Sequence, residues 1–172
     1  LLGVSTVADQ YSFGGGVLYG YTDFPSAITG TLTSPTGAGW TGETFLGEIL
    51  TMITQLYAKN HYGPYMLYIA PNWDRYLDDD FKAASDKSLR NRTKEVSAIQ
   101  DVKTLDYLSN YDVVLVQMTS DVVREVIGMD ITTVEWDTIG GLQKNFKIMA
   151  ILVPQLRADQ DNQSGINYAV CA

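Results

Sequence analysis

Between Thr41 and Asn60 apolar side chains return every three or four residues: Phe45, Leu46, Ile49, Leu50, Ile53, Leu56 and Tyr57. That period predicts an amphipathic helix with one buried stripe. Thr41 is a suitable N-cap, Glu43 suits the positive end of the helix dipole, and Asn60 can end the helix. A helix apolar on one side must be covered by something, and most of the remaining chain reads as strands. Residues 66–70, bounded by Pro64 and Pro71, form a short apolar run expected to be a buried strand. Further strands are expected over 97–102, 112–118, 131–136, 145–153 and 166–170, with turns at 110–112 and at Gly140-Gly141. Two shorter helices fit between them. One carries Trp73, Tyr76 and Leu77 behind an Asn72 cap, and the other runs through Leu89 to Lys94 behind Ser85 or Asp86. The first forty residues, with Gly14-Gly15-Gly16 and two prolines, read as irregular with short strands at most. Helices and strands mix without strict βαβ alternation, so the fold class expected is α+β.

Composition narrows the function. Of 172 residues, 45% are hydrophobic and 19% charged, the reverse of a disordered chain. Twelve Lys and Arg face 20 Asp and Glu, and the resulting charge of −8 argues against a dedicated nucleic-acid reader. No run of 18 apolar residues suggests a membrane span. A single cysteine, Cys171, excludes a disulfide framework. The chain begins Leu1-Leu2-Gly3, without Met, which makes it the expected body of a larger subunit.

The chemical inventory is thin. His61 sits at a helix end, where its role is the helix dipole. One His and one Cys are too few soft ligands for a zinc site. Asp78-Asp79-Asp80 with Asp74 is the densest acidic cluster, yet it lacks the alternate spacing and glycine of a calcium loop. The triple glycine is followed by Val17-Leu18, not by the Lys-Ser/Thr pair of a phosphate loop. Residues 157–164 read as an exposed hairpin loop. Two glycosylation sequons, at Asn91 and Asn162, are about what chance supplies. No catalytic residue, metal or cofactor is expected. The alternative of a small acidic hydrolase would have to use Asp74, Asp78 and His61. Lys82, Lys87, Arg90, Arg92 and Lys94 crowd five bases into thirteen residues, without interleaved aromatics to stack on bases. Eleven Tyr and three Trp suit contacts with partners.

Taken in order, these segments resemble the later part of a tailed-phage major capsid protein, a fold shared with encapsulin shells. Ala8-Asp9-Gln10-Tyr11-Ser12-Phe13-Gly14 and Leu18-Tyr19-Gly20-Tyr21 are similar to the stretch before that family's central helix. Asp23-Phe24-Pro25 and Trp40 then lead into it. Tyr62-Gly63-Pro64-Tyr65 with the strand that follows, and Trp73-Asp74-Arg75-Tyr76-Leu77 behind it, resemble the family's Gly-Pro-Tyr strand and aromatic helix. Val113-Val114-Leu115-Val116, Gly128-Met129-Asp130-Ile131 and the strand from Phe146 to Val153 continue the series.

The resemblance implies a peripheral domain over 1–65 and 137–172, with a spine helix over 43–59, and an axial domain over 66–136. The family's N-terminal arm and extended hairpin loop would lie upstream. It further implies a shell protein that assembles with copies of itself into pentamers and hexamers of an icosahedral virion around double-stranded DNA. Portal, scaffold or decoration proteins would be its other partners, and the host bacterial cytoplasm its place of assembly. The encapsulin-type compartment shell is the alternative. Lys87, Arg90, Arg92, Lys94, Trp73 and Tyr76 are the expected contacts between subunits.

Overall fold

A computed structural model describes residues 12–13, 16–82, 86–138 and 140–171. The N-terminal part holds two short strands, β1 (Ser12–Phe13) and β2 (Gly16–Val17), and then β3 (Ile28–Leu32). The helix expected from the apolar period is α1 (Gly42–Tyr57). The Thr41 hydroxyl accepts from the Thr44 amide, and Phe45, Ile49, Met52, Ile53 and Leu56 form the buried stripe. Asn60, at φ +62°, turns the chain out of the helix, a conformation asparagine tolerates better than most residues.

Next come β4 (Tyr65–Ile69), a 3-10 turn (Pro71–Trp73), α2 (Asp74–Leu77), α3 (Leu89–Lys94), β5 (Ile99–Thr104) and β6 (Val113–Gln117). Two expected caps are corrected here. Pro71 starts a turn one residue before Asn72, whose amide instead donates to the Asn110 carbonyl at 2.9 Å. Ser88, and not Asp86, caps α3 by accepting from the Asn91 amide, while Ser85 lies outside the described residues. The chain closes with two long strands, β7 (Val123–Asp137) and β8 (Lys144–Leu156), and then β9 (Ile166–Cys171).

The main sheet has the order β3-β9-β6-β4-β5. β3 runs parallel to β9 and β4 parallel to β5, whereas β6 is antiparallel to both of its neighbours. A parallel pair cannot be joined by a tight turn, so the 3-10 turn, α2 and α3 make the crossover from β4 to β5. At the centre of the sheet Val113, Val114, Leu115 and Val116 are all fully buried, which explains why β6 reads as a continuous apolar run. In β4 the burial alternates, with Tyr65, Leu67 and Ile69 inward. The helix α1 lies against β3 and β9. Asn167 of β9 reaches up to it, donating to the Met52 carbonyl at 3.2 Å and to Gln55 Oε1 at 2.9 Å.

This single sheet draws strands from all three of the ranges 1–65, 66–136 and 137–172, so the expected domain boundaries cut across it. The division the structure shows is a different one. Among the described residues β7 and β8 form their own two-stranded sheet and pair with no other strand. Residues 157–164 are likewise not a hairpin loop, because β8 and β9 do not pair. They carry the chain from one sheet to the other, held by the Asp159 carboxylate, which accepts from the Asp161 and Gln163 amides.

Candidate assembly surface

Around α3 the clustered bases are matched by acids of the same chain. Arg90 reaches Asp74 at 2.6 Å through Nη2 and Asp78 at 2.8 Å through Nε. Lys94 lies 2.7 Å from Asp101, Arg92 lies 3.1 Å from Glu95, Lys87 also binds Glu95, and Lys82 binds Glu43. Five bases therefore meet five acids, and the segment is close to locally neutral. Partial burial acts to raise the Asp74 carboxyl, but hydrogen bonds from Thr104 and Arg90, with the Arg90 charge, outweigh it and hold the group below the usual carboxylate range. Exposed pairs of this kind contribute little stability each.

The aromatic candidates divide. Trp73 is fully buried, and its indole donates to the Tyr111 carbonyl at 2.8 Å. Its ring lies 4.7 Å from Phe45 and 5.5 Å from Tyr111. Trp73 is therefore a core residue that holds the crossover against α1, which corrects its expected place between subunits. Tyr76 packs on the same cluster and is only partly buried.

The surface that stands out is the β7–β8 hairpin. Its strands of 15 and 13 residues reach roughly 45 Å at about 3.4 Å per residue. Ten large apolar side chains on them are 40–71% exposed. The register assigns these residues to faces, since opposed residues share a face and neighbours alternate. Ile127, Leu152, Ile148 and Phe146 fall on one face. Val126, Val153, Ile151, Val134 and Trp136 fall on the other. Two register shifts between Ile127 and Thr132 add extra residues to β7, and Ile131, 70% exposed, sits in this bulged part. The apolar run Ile148-Met149-Ala150-Ile151-Leu152-Val153 has the pattern of a strand covered on both sides. Among the described residues it is only partly covered, from 71% exposed at Ile148 to 41% at Val153. At the hairpin base, Val126, Val153 and Leu156 join Leu18, Tyr19 and Phe24 around a groove of about 570 Å³.

The residues weighed for catalysis are engaged elsewhere. Asp74 and Asp78 bind Arg90, while His61 Nδ1 lies 3.0 Å from Gln117 Oε1. Among the described residues no group of three His, Cys, Asp or Glu is placed to hold a metal ion, and no helix is long and apolar enough to cross a membrane. Burial pushes the Tyr21 phenol up to about 12, aided by its neighbour Tyr68, on which it stacks.

The sequence model of a family of unknown function, DUF6260, matches residues 10–169. The chain belongs to that family. No curated protein matches this DUF6260 member in sequence. Its fold is similar to that of a virus-like particle from Pyrococcus furiosus, with a TM-score of 0.60 and 18% identity over 85% of this chain and 57% of that one. A chain of Mycobacterium phage Che8 is similar with a TM-score of 0.54 and 10% identity, over 84% of this chain and 53% of that one. The DUF6260 chain thus spans little more than half the length of either. It shares their mixed α+β fold.

Proposed function

We propose that this chain is the body of a shell-forming subunit, a phage major capsid protein whose work is self-assembly and not catalysis. The observation that carries the reading is the β7–β8 hairpin. It has a core-like strand sequence and open apolar faces on both sides. Exposed apolar surface on this scale marks an interaction site, and an isolated two-stranded hairpin is marginal in water. Copies that cover one another's hairpins remove both liabilities. The similarity of fold to a virus-like particle supports a closed shell as the product of such contacts.

In this reading the subunits form hexamers and pentamers of an icosahedral virion that encloses double-stranded DNA. The charge of −8 suits a wall that contains DNA without gripping it, because duplex DNA carries one charge per ~1.7 Å of axis. The subunit would assemble in the bacterial cytoplasm, with portal, scaffold or decoration proteins as further partners. Electron microscopy of the purified chain, with sedimentation, tests the reading, and closed particles are expected. Nuclease-protected DNA inside particles made during infection marks a capsid. Packaged protein in its place would make the shell a compartment of the encapsulin type. A chain that stays monomeric at high concentration would refute a shell role.

A further inference from the structure

The two strands of the hairpin carry opposite charge. β7 has Glu125, Asp130, Glu135 and Asp137 against Arg124, a balance of −3, while β8 has Lys144 and Lys147 and no acid, a balance of +2. Each strand spends one edge on the other and, among the described residues, leaves its second edge unpaired, since the sheet has only these two described strands. Inside the hairpin the charges already match across the ladder. Lys144 is opposite Asp137 and 4.0 Å from Glu135, and all of these groups lie toward the tip. Lys144 and Glu135 are 57% and 63% exposed, so each remains open to a second partner.

We infer that the free edge of β8 in one copy adds to the free edge of β7 in the next, with the hairpin tips at the same end. The copies then share one continuous antiparallel sheet and follow one another head to tail. The inference rests on the shell reading and supplies its contact. Such an addition repeats between copies the arrangement β7 and β8 make within one copy. Main-chain hydrogen bonds give it strength, and the side chains give it direction.

The chain limits where this pairing runs. Pro154 lacks an amide donor, which leaves 144–153 as the usable edge of β8. The shifts around Met129 leave 132–137 as the regular part of β7 near the tip. These are the stretches that hold Lys144 and Lys147 on one side and Glu135 and Asp137 on the other. The symmetric alternatives are poorer. Pairing β7 with β7 sets acids among acids, and pairing β8 with β8 leaves both lysines without an acid. A head-to-tail contact joins two different surfaces of the same subunit, and where its rotation closes it makes the rings a shell requires.

The test mixes two variants of the full chain, both in a Cys171→Ser background. One carries Thr133→Cys on β7 and the other Ile148→Cys on β8, positions opposed in the register. Because each chain holds one cysteine, a disulfide can form only between copies. Co-assembled and oxidised particles should give a dimer at least tenfold more abundant than either variant gives alone. Thr132→Cys mixed with Met149→Cys provides a second pair if the first assembles poorly. Particles with no mixed disulfide from either pair would overturn the inference and leave the shell reading standing, as would efficient dimerisation of the Ile148→Cys chain by itself. Absence of particles from the unsubstituted chain would overturn both.

Discussion

Ile148 and Ile151 lie on opposite faces of the hairpin, 71% and 55% exposed, and replacing each with threonine separates folding from assembly. Threonine keeps the β-branched shape that strands favour, so the hairpin itself is little disturbed. Fully burying an isoleucine side chain stabilises by about 1.5–3 kcal/mol, and about 1–2 kcal/mol of that is still to be gained at Ile148 when a neighbour covers it. At about 1.4 kcal/mol per factor of ten, the concentration needed for assembly should rise roughly 5- to 25-fold in Ile148→Thr, and somewhat less in Ile151→Thr. The dissociated subunit should unfold within about 0.5 kcal/mol of the parent, as for other exposed positions. Light scattering against concentration reads the first quantity, and denaturant unfolding below the assembly threshold reads the second. If one variant shifts assembly and the other does not, a single face is covered. If both destabilise the lone subunit and leave assembly unchanged, the hairpin belongs to the chain's own core and the reasoning fails.

Trp73→Ala should lower the stability of the unassembled subunit by about 3–5 kcal/mol, as for other large buried aromatics; an unchanged denaturation midpoint would return Trp73 to the surface. Gly165→Ala would place a Cβ 2.8 Å from the Gln117 side chain and from Val122, where the neck of the hairpin meets the body. A loss of about 1–3 kcal/mol, read as a lower Tm, is expected from this overpacking. Asp74 titrates below its ordinary 3.8 when folded, so its pairing stabilises above about pH 4 and is lost as acid protonates it. The stability gap between the parent and Arg90→Met should therefore be widest near neutrality and close toward pH 2; a gap that does not change with pH would refute the pairing.

How much of this was legible in the sequence depends on how local each cause is. The helix α1 and strands β4, β6 and β9 follow from their own residues, because period and apolar run are written in adjacent positions. β5 sits two residues later than expected, since Val96 closes a turn with Ile99 and the strand lies at the sheet edge, where burial constrains it weakly. The first half of β7 was missed because Glu125, Gly128 and Asp130 interrupt the apolar pattern, and the shifts near Met129 break the two-residue period that a search relies on. For the candidate contacts the limit is different. The bases of α3 are visible in sequence, but their neutralisation is not. Asp74 lies 16 residues from Arg90 and on another element, and only the fold brings them together. An aromatic residue, likewise, carries no mark of which way it faces, so Trp73 and Trp136 read alike although one is buried and the other is half exposed.

The chain divides its stability unevenly, and the division bears on how a shell can be built. The five-stranded sheet has a buried core around β6 and α1 that needs no partner. The hairpin has ten exposed apolar side chains, which the shell reading covers with a second copy. A subunit so arranged can fold first and associate afterwards, because nothing in the body waits for a second copy. The hazard is that an open apolar ribbon also invites unselective pairing. Features of β7 and β8 oppose that outcome. The shifts near Met129 deform one edge, Pro154 removes a donor from the other, and the charges near the tip favour one partner strand over its alternatives. Each of these weakens the hairpin as a generic template while leaving β8-to-β7 addition open. The shifts near Met129 that hid the first half of β7 in the sequence thus also confine pairing to the stretch where Glu135 and Asp137 select the partner.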